Sequence, residues 1–197
     1  ATAKGRAGVA IASRGKAQIH RVAIGDEDFD TAGRWLEADY AVGSEVLTVV
    51  SAYVHTGDAA TPEKQDPKWA FLDEIERRLP DLSDGGRLAL ITGDLNVGHT
   101  TLDIRNWKGN LKNAGFLPRE RAYFDRWLTA AGEPVAANDG TGGTGLGWVD
   151  VGRRHAGDVE GPYSWWSWRG KAFDNDSGWR IDYHLASPAL AERVTDY

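Results

Sequence analysis

The sequence predicts an α/β layered sandwich built as one domain. Three observations carry that expectation: strand-like apolar runs are mixed along the chain with two segments of helical period, no internal repeat is visible, and no linker-like stretch divides the 197 residues. With 41% hydrophobic residues, the chain has the apolar content for one ordinary core.

Residues 8–13 are small and apolar and read as a strand, and residues 34–42 alternate apolar with polar, the period of a half-buried strand. Residues 46–54, with LTVVSAYV at their heart, are rich in β-branched and aromatic side chains and read as a buried strand. The period changes over residues 67–79. Phe71, Leu72, Ile75 and Leu79 recur at helical spacing, charged residues fill the other side, and Pro80 ends the run. RLALIT, residues 87–92, is a short apolar strand that stops at Gly93-Asp94. A second amphipathic helix is expected over residues 118–130, with Pro118 in its first turn and Phe124, Trp127, Leu128 and Ala131 on one stripe. Residues 132–147 hold six glycines and read as a flexible loop inserted in the domain. Residues 148–151, 163–168 and 180–186 complete the strand candidates.

Composition narrows the function. Cysteine is absent, which excludes disulfides, thiolate metal sites and a cysteine nucleophile, and is compatible with a reducing cytoplasm. A bound metal must take oxygen or imidazole ligands. No apolar run approaches the roughly 18 residues of a membrane span, and residues 1–10 lack the apolar centre of a signal peptide. A soluble protein without a membrane partner is expected. The net charge of −6 argues against indiscriminate attraction to nucleic acid. Locally the balance reverses: between Ile104 and Arg126, six lysines and arginines face only Glu120 and Asp125.

Four patterns could carry chemistry. At the end of RLALIT, Asp94 and Asn96 are two apart and project together from extended backbone. A carboxylate beside a carboxamide can hold Mg²⁺ and orient a water, although an Asp-x-Asn turn satisfied by its own backbone has the same sequence. In WRIDYH, alternation places Arg180, Asp182 and His184 on one face. Asp182 is then either the partner of Arg180 in a structural ion pair or the carboxylate that orients a catalytic histidine. In YSWWSW, large aromatics fall on both faces, so some should line a pocket rather than a core. In NWKGNLKNAGFLP, Lys108, Asn110, Lys112 and Asn113 surround Gly109 with cationic and amide donors suited to phosphate oxygens, as a solvated polar loop also would.

Taken in order and at their spacing, these segments are far more specific than any one of them. GDLNVGH, LDIRNWKGNLKNAGFLPRERAYFDRWL and YSWWSWRGKAFDNDSGWRIDYHLASPAL closely resemble the exonuclease III family of abasic-site DNA endonucleases, within the endonuclease/exonuclease/phosphatase superfamily. AGVAIASR and SAYVHTGD extend the resemblance upstream, so that it leaves out little beyond residues 132–147.

The resemblance implies a deoxyribonuclease-I-like four-layer α/β sandwich and a Mg²⁺-dependent repair nuclease, with Mn²⁺ as a substitute. The implied reaction is hydrolysis 5′ to an abasic site in double-stranded DNA, with 3′→5′ exonuclease and 3′-phosphatase activity beside it. Asp94 resembles the carboxylate that activates water, Asn96 its amide partner, Tyr53 the tyrosine near the phosphate and Asp182 the acid behind the catalytic histidine. Asp94 and Asn96 are also the expected metal ligands. Asn110 and Asn113 match backbone contacts to DNA, and Trp165 and Trp179 match the walls of an abasic-sugar pocket. Lys108, Lys112 and Arg180 join the expected DNA-binding set. A monomer working in the cytoplasm, on the nucleoid in a bacterium, fits such a role. The family's first-strand Asn and metal-binding Glu belong upstream of Ala1, and its Ser-Asp-His segment downstream of Tyr197. The expectation is therefore a domain short of elements at both ends, for which catalytic inactivity with retained DNA binding is one alternative, and a superfamily phosphatase or lipid phosphodiesterase another.

Overall fold

The computed structural model describes residues 8–25 and 27–197; residues 1–7 of the expected domain lie outside them. Alternating and β-branched residues form the first strands: β1 (Ile19–Arg21), then, after α1 (Glu27–Ala32), β2 (Trp35–Val42) and β3 (Glu45–Tyr53), paired antiparallel. The long helix α2 (Pro62–Ser83) crosses over and returns the chain as β4 (Leu88–Asp94), parallel to β3. Next come the single-turn helix α3 (Trp107–Asn110) and the amphipathic α4 (Pro118–Leu128). A hairpin of β5 (Pro134–Ala136) and β6 (Gly142–Thr144) leads into β7 (Val149–Asp150) and α5 (Val151–Ala156). Finally β8 (Trp165–Trp166) pairs with β9 (Gly178–Trp179), and β10 (Asp182–Ala186) runs to α6 (Pro188–Ala191).

The principal sheet has the order β1-β2-β3-β4-β10-β7. One of its faces is greasy. Val50, Ala52, Ala89, Ile91, Tyr183 and Leu185 share a single buried cluster with Phe71, Leu72, Ile75 and Leu79 of α2 and Tyr123, Phe124 and Trp127 of α4. The described residues thus supply a helix layer and a sheet layer of the expected sandwich. A smaller cluster, Val151, Ala186 and Ala191 with Leu90, lies beside α5 and α6.

Several expected boundaries move, for physical reasons. Residues 8–13 form no strand; among the described residues, the backbone bond that holds them runs from the Val9 N–H to the Gly33 carbonyl just before β2, and the small side chains bury little that would hold a ladder. Helix α2 runs through both Pro67 and Pro80. Each proline forfeits one backbone bond. The buried Gln65 and Lys68 pin the first turns, and Leu79 and Leu82 pin the last. The glycine-rich stretch is not a featureless loop: it contains the β5–β6 hairpin, and Val135 and Ala137 pack on Ala122 of α4. Strand 180–186 starts only at Asp182, because Arg180 and Ile181 form a bend whose amides are engaged by the Asp103 carbonyl and the Ser164 hydroxyl.

Parallel strands β3 and β4 leave no room for a side chain at Gly93, which is paired with Ala52. Its φ is +146°, and a Cβ there would stand 1.9 Å from the Ala52 carbonyl oxygen. Gly93→Ala is therefore expected to cost more than about 2 kcal/mol of stability in urea unfolding. A loss below half of that would mean the strands part without strain.

Candidate active site

The sheet register brings the site together. Asp94, the last residue of β4, is paired with Tyr53 of β3 on one side and with Asp182 of β10 on the other. Neighbouring strands lie about 4.8 Å apart, so a phenol and two carboxylates stand side by side at one sheet edge. Two backbone bonds continue past the strand ends: Val54 N–H donates to the Asp94 carbonyl, and Leu95 N–H to the Ile181 carbonyl.

Asn96 then turns the chain. Its φ of +49° lies in the left-handed region, which Asn tolerates better than most residues. Its amide N–H donates to Asp94 Oδ1 at 2.9 Å, and its Nδ2 donates to Asp94 Oδ2 at 3.0 Å and to the Val54 carbonyl at 2.7 Å. The side-chain-to-backbone turn and the functional pair foreseen as alternatives are thus the same structure. The arrangement leaves Asn96 Oδ1 facing Thr56 Oγ1 at 3.5 Å.

Above this edge lies a cavity of about 380 Å³. Tyr53, Asp94 and Asn96 form one wall, Asn110, Asn113 and Gly115 another, and Trp165 and Trp179 a third. The two indoles come from cross-strand partners in the β8–β9 pair. Asn110 donates to the Asn106 carbonyl and accepts from Asn113, so the two amides are preset at the rim. Seven of the eleven expected site residues converge here.

The other four lie elsewhere. Asp182 is exposed beside Asp94 rather than buried, and its carboxylate accepts no hydrogen bond among the described residues. His184, two residues on, bonds the Tyr197 hydroxyl instead. Lys112 borders an adjoining cavity that shares Asn113 and Ala114 with the first, and Lys108 borders a third with Arg105 and Trp107. Arg180 is a correction. It is 5% exposed and forms ion pairs at 2.7 Å with both Asp103 and Asp150, so it neither pairs with Asp182 nor presents a cation to a ligand. The bend at 180–181 breaks the alternation that had placed it beside Asp182.

The sequence reading also missed residues that hold the site from below. Asp103 takes Arg180 and Arg153, and its other oxygen accepts the Thr100 amide, which fixes the loop after Asn96. Lys68 and Glu120 form an enclosed ion pair under Asn96. A lysine in step with Phe71, Leu72 and Ile75 on the apolar stripe of α2 was the available signal.

Burial pushes Asp94 up to about 6, with the Asp182 charge adding to it and the Asn96 donors and Lys68 opposing. Burial pulls the Lys68 ammonium down from its ordinary value, and the Glu120 charge pulls it back. Two carboxylates and the amide oxygen of Asn96, which accepts a long bond at 3.5 Å from the Thr56 hydroxyl, form a hard-oxygen donor set. That set fits a divalent cation completed by water and phosphate oxygens.

Polar side chains gathered where the central strands of an α/β sandwich end define the general class. The chain belongs to the Endonuclease/Exonuclease/phosphatase family, whose sequence profile matches residues 1–196. It is 33% identical over 196 residues to an exodeoxyribonuclease of Bacillus subtilis, covering 100% of this chain and 69% of that protein. Its fold is similar to that of an AP endonuclease from Archaeoglobus fulgidus (TM-score 0.72, 23% identity, 90% of this chain and 61% of that one). The 3′-5′ exonuclease from Neisseria meningitidis is equally similar (TM-score 0.73, 22% identity, 93% and 64%). The chain therefore spans just under two thirds of the length of each of these two solved structures.

A carboxyl held above its ordinary value penalises the folded state once it ionises. For Asp94 the penalty is absent below the unfolded value near 3.8 and complete above about 6. Asp94→Asn should therefore gain melting temperature over the wild type as pH rises from about 4 to about 7, and Mg²⁺ at neutral pH should narrow the gap. Calorimetry of both proteins measures this; a gap independent of pH would mean that Asp94 is not elevated.

Proposed function

We propose that this chain carries the reaction centre of a DNA repair nuclease that hydrolyses the phosphodiester 5′ to an abasic site and leaves a 3′-hydroxyl. On this reading it also removes 3′ nucleotides and 3′ phosphates. The observation that carries the proposal is the single cavity in which Tyr53, Asp94 and Asn96 face Asn110, Asn113 and two indoles. The kinship with the Bacillus exodeoxyribonuclease supports it.

The chemistry follows from the residues. An anionic diester repels a nucleophile, so the site must offset negative charge as it grows in the transition state. Mg²⁺, or Mn²⁺ in its place, held by Asp94 and Asn96 with Asp182 alongside, would supply Lewis-acid stabilisation of the phosphoryl oxygens. Asp94 in its ionised form takes the proton of the attacking water. Asn96, fixed by its bonds to Asp94 and Val54, orients that water or a phosphate oxygen. Tyr53, with Arg34 over its ring at 5.1 Å, presents its phenol to the phosphate. Asn110, Asn113, Lys108 and Lys112 follow the DNA backbone.

Specificity comes from shape. A nucleotide without its base leaves the stack at low cost, and its sugar can fill a cavity walled by Trp165 and Trp179. No helix among the described residues is long and apolar enough to cross a membrane. A monomer acting in the cytoplasm, on the nucleoid if the source is a bacterium, is the setting that suits this substrate. A second reading, DNA binding without cleavage, is favoured by one observation: no histidine bonds Asp182 among the described residues.

The test is nicking of an abasic duplex by the purified chain with and without Mg²⁺. Cleavage that Asp94→Asn lowers by about 10²–10⁴-fold is expected. Binding without cleavage selects the second reading, and turnover of phosphoinositides or sphingomyelin in place of DNA rejects both. Trp165→Ala and Trp179→Ala should each weaken abasic DNA by about 1–3 kcal/mol while sparing intact duplex. Equal losses on both DNAs would remove the indoles from the pocket role.

A further inference from the structure

Lys68 lies on the core-facing stripe of α2, and its side chain is wholly enclosed. Its ammonium reaches Glu120 Oε1 at 2.7 Å and donates to the carbonyls of Asn96 at 2.8 Å and Thr56 at 3.0 Å. Glu120 is enclosed too. Its Oε1 also accepts Gln65 Nε2 at 2.9 Å, and its Oε2 accepts the backbone N–H of Gly115 at 2.7 Å and of Leu117 at 2.9 Å. Thr56, Asn96 and Gly115 are walls of the cavity and come from three separate segments. A pair needed only for core stability could take any backbone partners; this one spends most of its contacts on the backbone of one cavity. The Asn96 carbonyl is also the one whose direction is set by a left-handed φ.

We infer that Lys68 and Glu120 form a positioning pair that fixes the backbone of Thr56, Asn96 and Gly115, and through it the Asn96 amide, relative to the scissile phosphate. The phosphate in this statement rests on the nuclease reading; the setting of the three walls does not. Neither side chain touches the cavity, so neither is catalytic. Their removal should misplace Asn96 without removing any group that binds DNA.

The test uses the full chain with Lys68→Met/Glu120→Leu, Lys68→Arg and Glu120→Gln. The double variant removes the buried charges but leaves the Gly115 and Leu117 amides and the Thr56 and Asn96 carbonyls without these partners, so its urea midpoint should fall, and kcat is read per folded molecule. That kcat on abasic duplex should fall at least about tenfold, because small displacements in a reacting site are costly. KM should stay within about threefold, since uniform binding is untouched. Lys68→Arg, which keeps the cation, should recover part of kcat. The Gly115 amide, having lost its acceptor, should exchange its hydrogen faster in the double variant.

A double variant that folds and keeps wild-type kcat overturns the inference, as does a kcat loss accounted for by the unfolded fraction. Should the double variant not fold, Glu120→Gln decides: a folded protein with unchanged kcat overturns it, and a lowered kcat at unchanged KM supports it. Should the wild type cleave no DNA, the nuclease reading fails and amide exchange alone decides. Faster exchange at Gly115 in a folded variant then supports the positioning role, and unchanged exchange defeats it.

Discussion

Asp94 sits between Tyr53 and Asp182 because β4 is flanked by a parallel strand on one side and an antiparallel strand on the other, in a register that aligns all three residues. The close passage of Gly93 by Ala52 holds that register, and only a residue without Cβ permits it. The alignment has an electrostatic cost. Burial penalises the charged form of Asp94, and the Asp182 carboxylate on the adjacent strand adds to that penalty. Donors from Asn96 offset part of it, and a cation would offset more. The same crowding of negative charge that penalises ionised Asp94 suits these oxygens to a divalent ion.

The loop after β4 is held by buried charge rather than by a further strand. Lys68 and Glu120 grip it at Asn96 and Gly115, and Asp103 grips it at Thr100 while drawing in Arg180 and Arg153. Tyr183 adds a bond from its hydroxyl to the Val97 carbonyl at 2.6 Å. Buried ion pairs gain little over apolar packing in stability, yet each polar atom must find a partner, so they select one backbone geometry. A loop fixed in this way can hold a left-handed Asn where a reaction needs its amide.

What the sequence disclosed depended on whether local period and spatial role coincided. Asp94 and Asn96 were legible because they end and follow a strong apolar strand, where alternation fixes direction; Tyr53 was named only by the family resemblance of SAYVHTGD. The crowding of indoles in YSWWSW said only that some must leave the core, and Trp168 is in fact fully exposed; Trp165 and Trp179 were singled out by the family resemblance. Arg180 was misplaced because alternation was carried through a bend that only the Ser164 hydroxyl and Asp103 reveal. Asp103 and Glu120 were invisible as buried charges, since their cationic partners are far away in the chain: Arg153 and Arg180 lie 50 and 77 residues from Asp103, and Lys68 lies a whole strand and loop before Glu120. Lys68 broke an apolar stripe, which is the one sequence sign a buried charge leaves.

The charge distribution changes how an acidic chain can hold a polyanion. The basic surplus between Ile104 and Arg126 looks like an electrostatic strip in the sequence, but much of it is already engaged. Arg105 pairs with Glu160 and Arg126 with Glu76, while Arg119 lies over the Trp69 ring and Arg121 over Phe116. Lys108 and Lys112 have no carboxylate partner among the described residues, and each borders a cavity next to or near the indoles. On the nuclease reading, few counterions would be released from DNA, so the salt dependence of binding should be shallow. Affinity would then rest on the cavity and its amides, where a distorted or base-free sugar is distinguished from ordinary duplex.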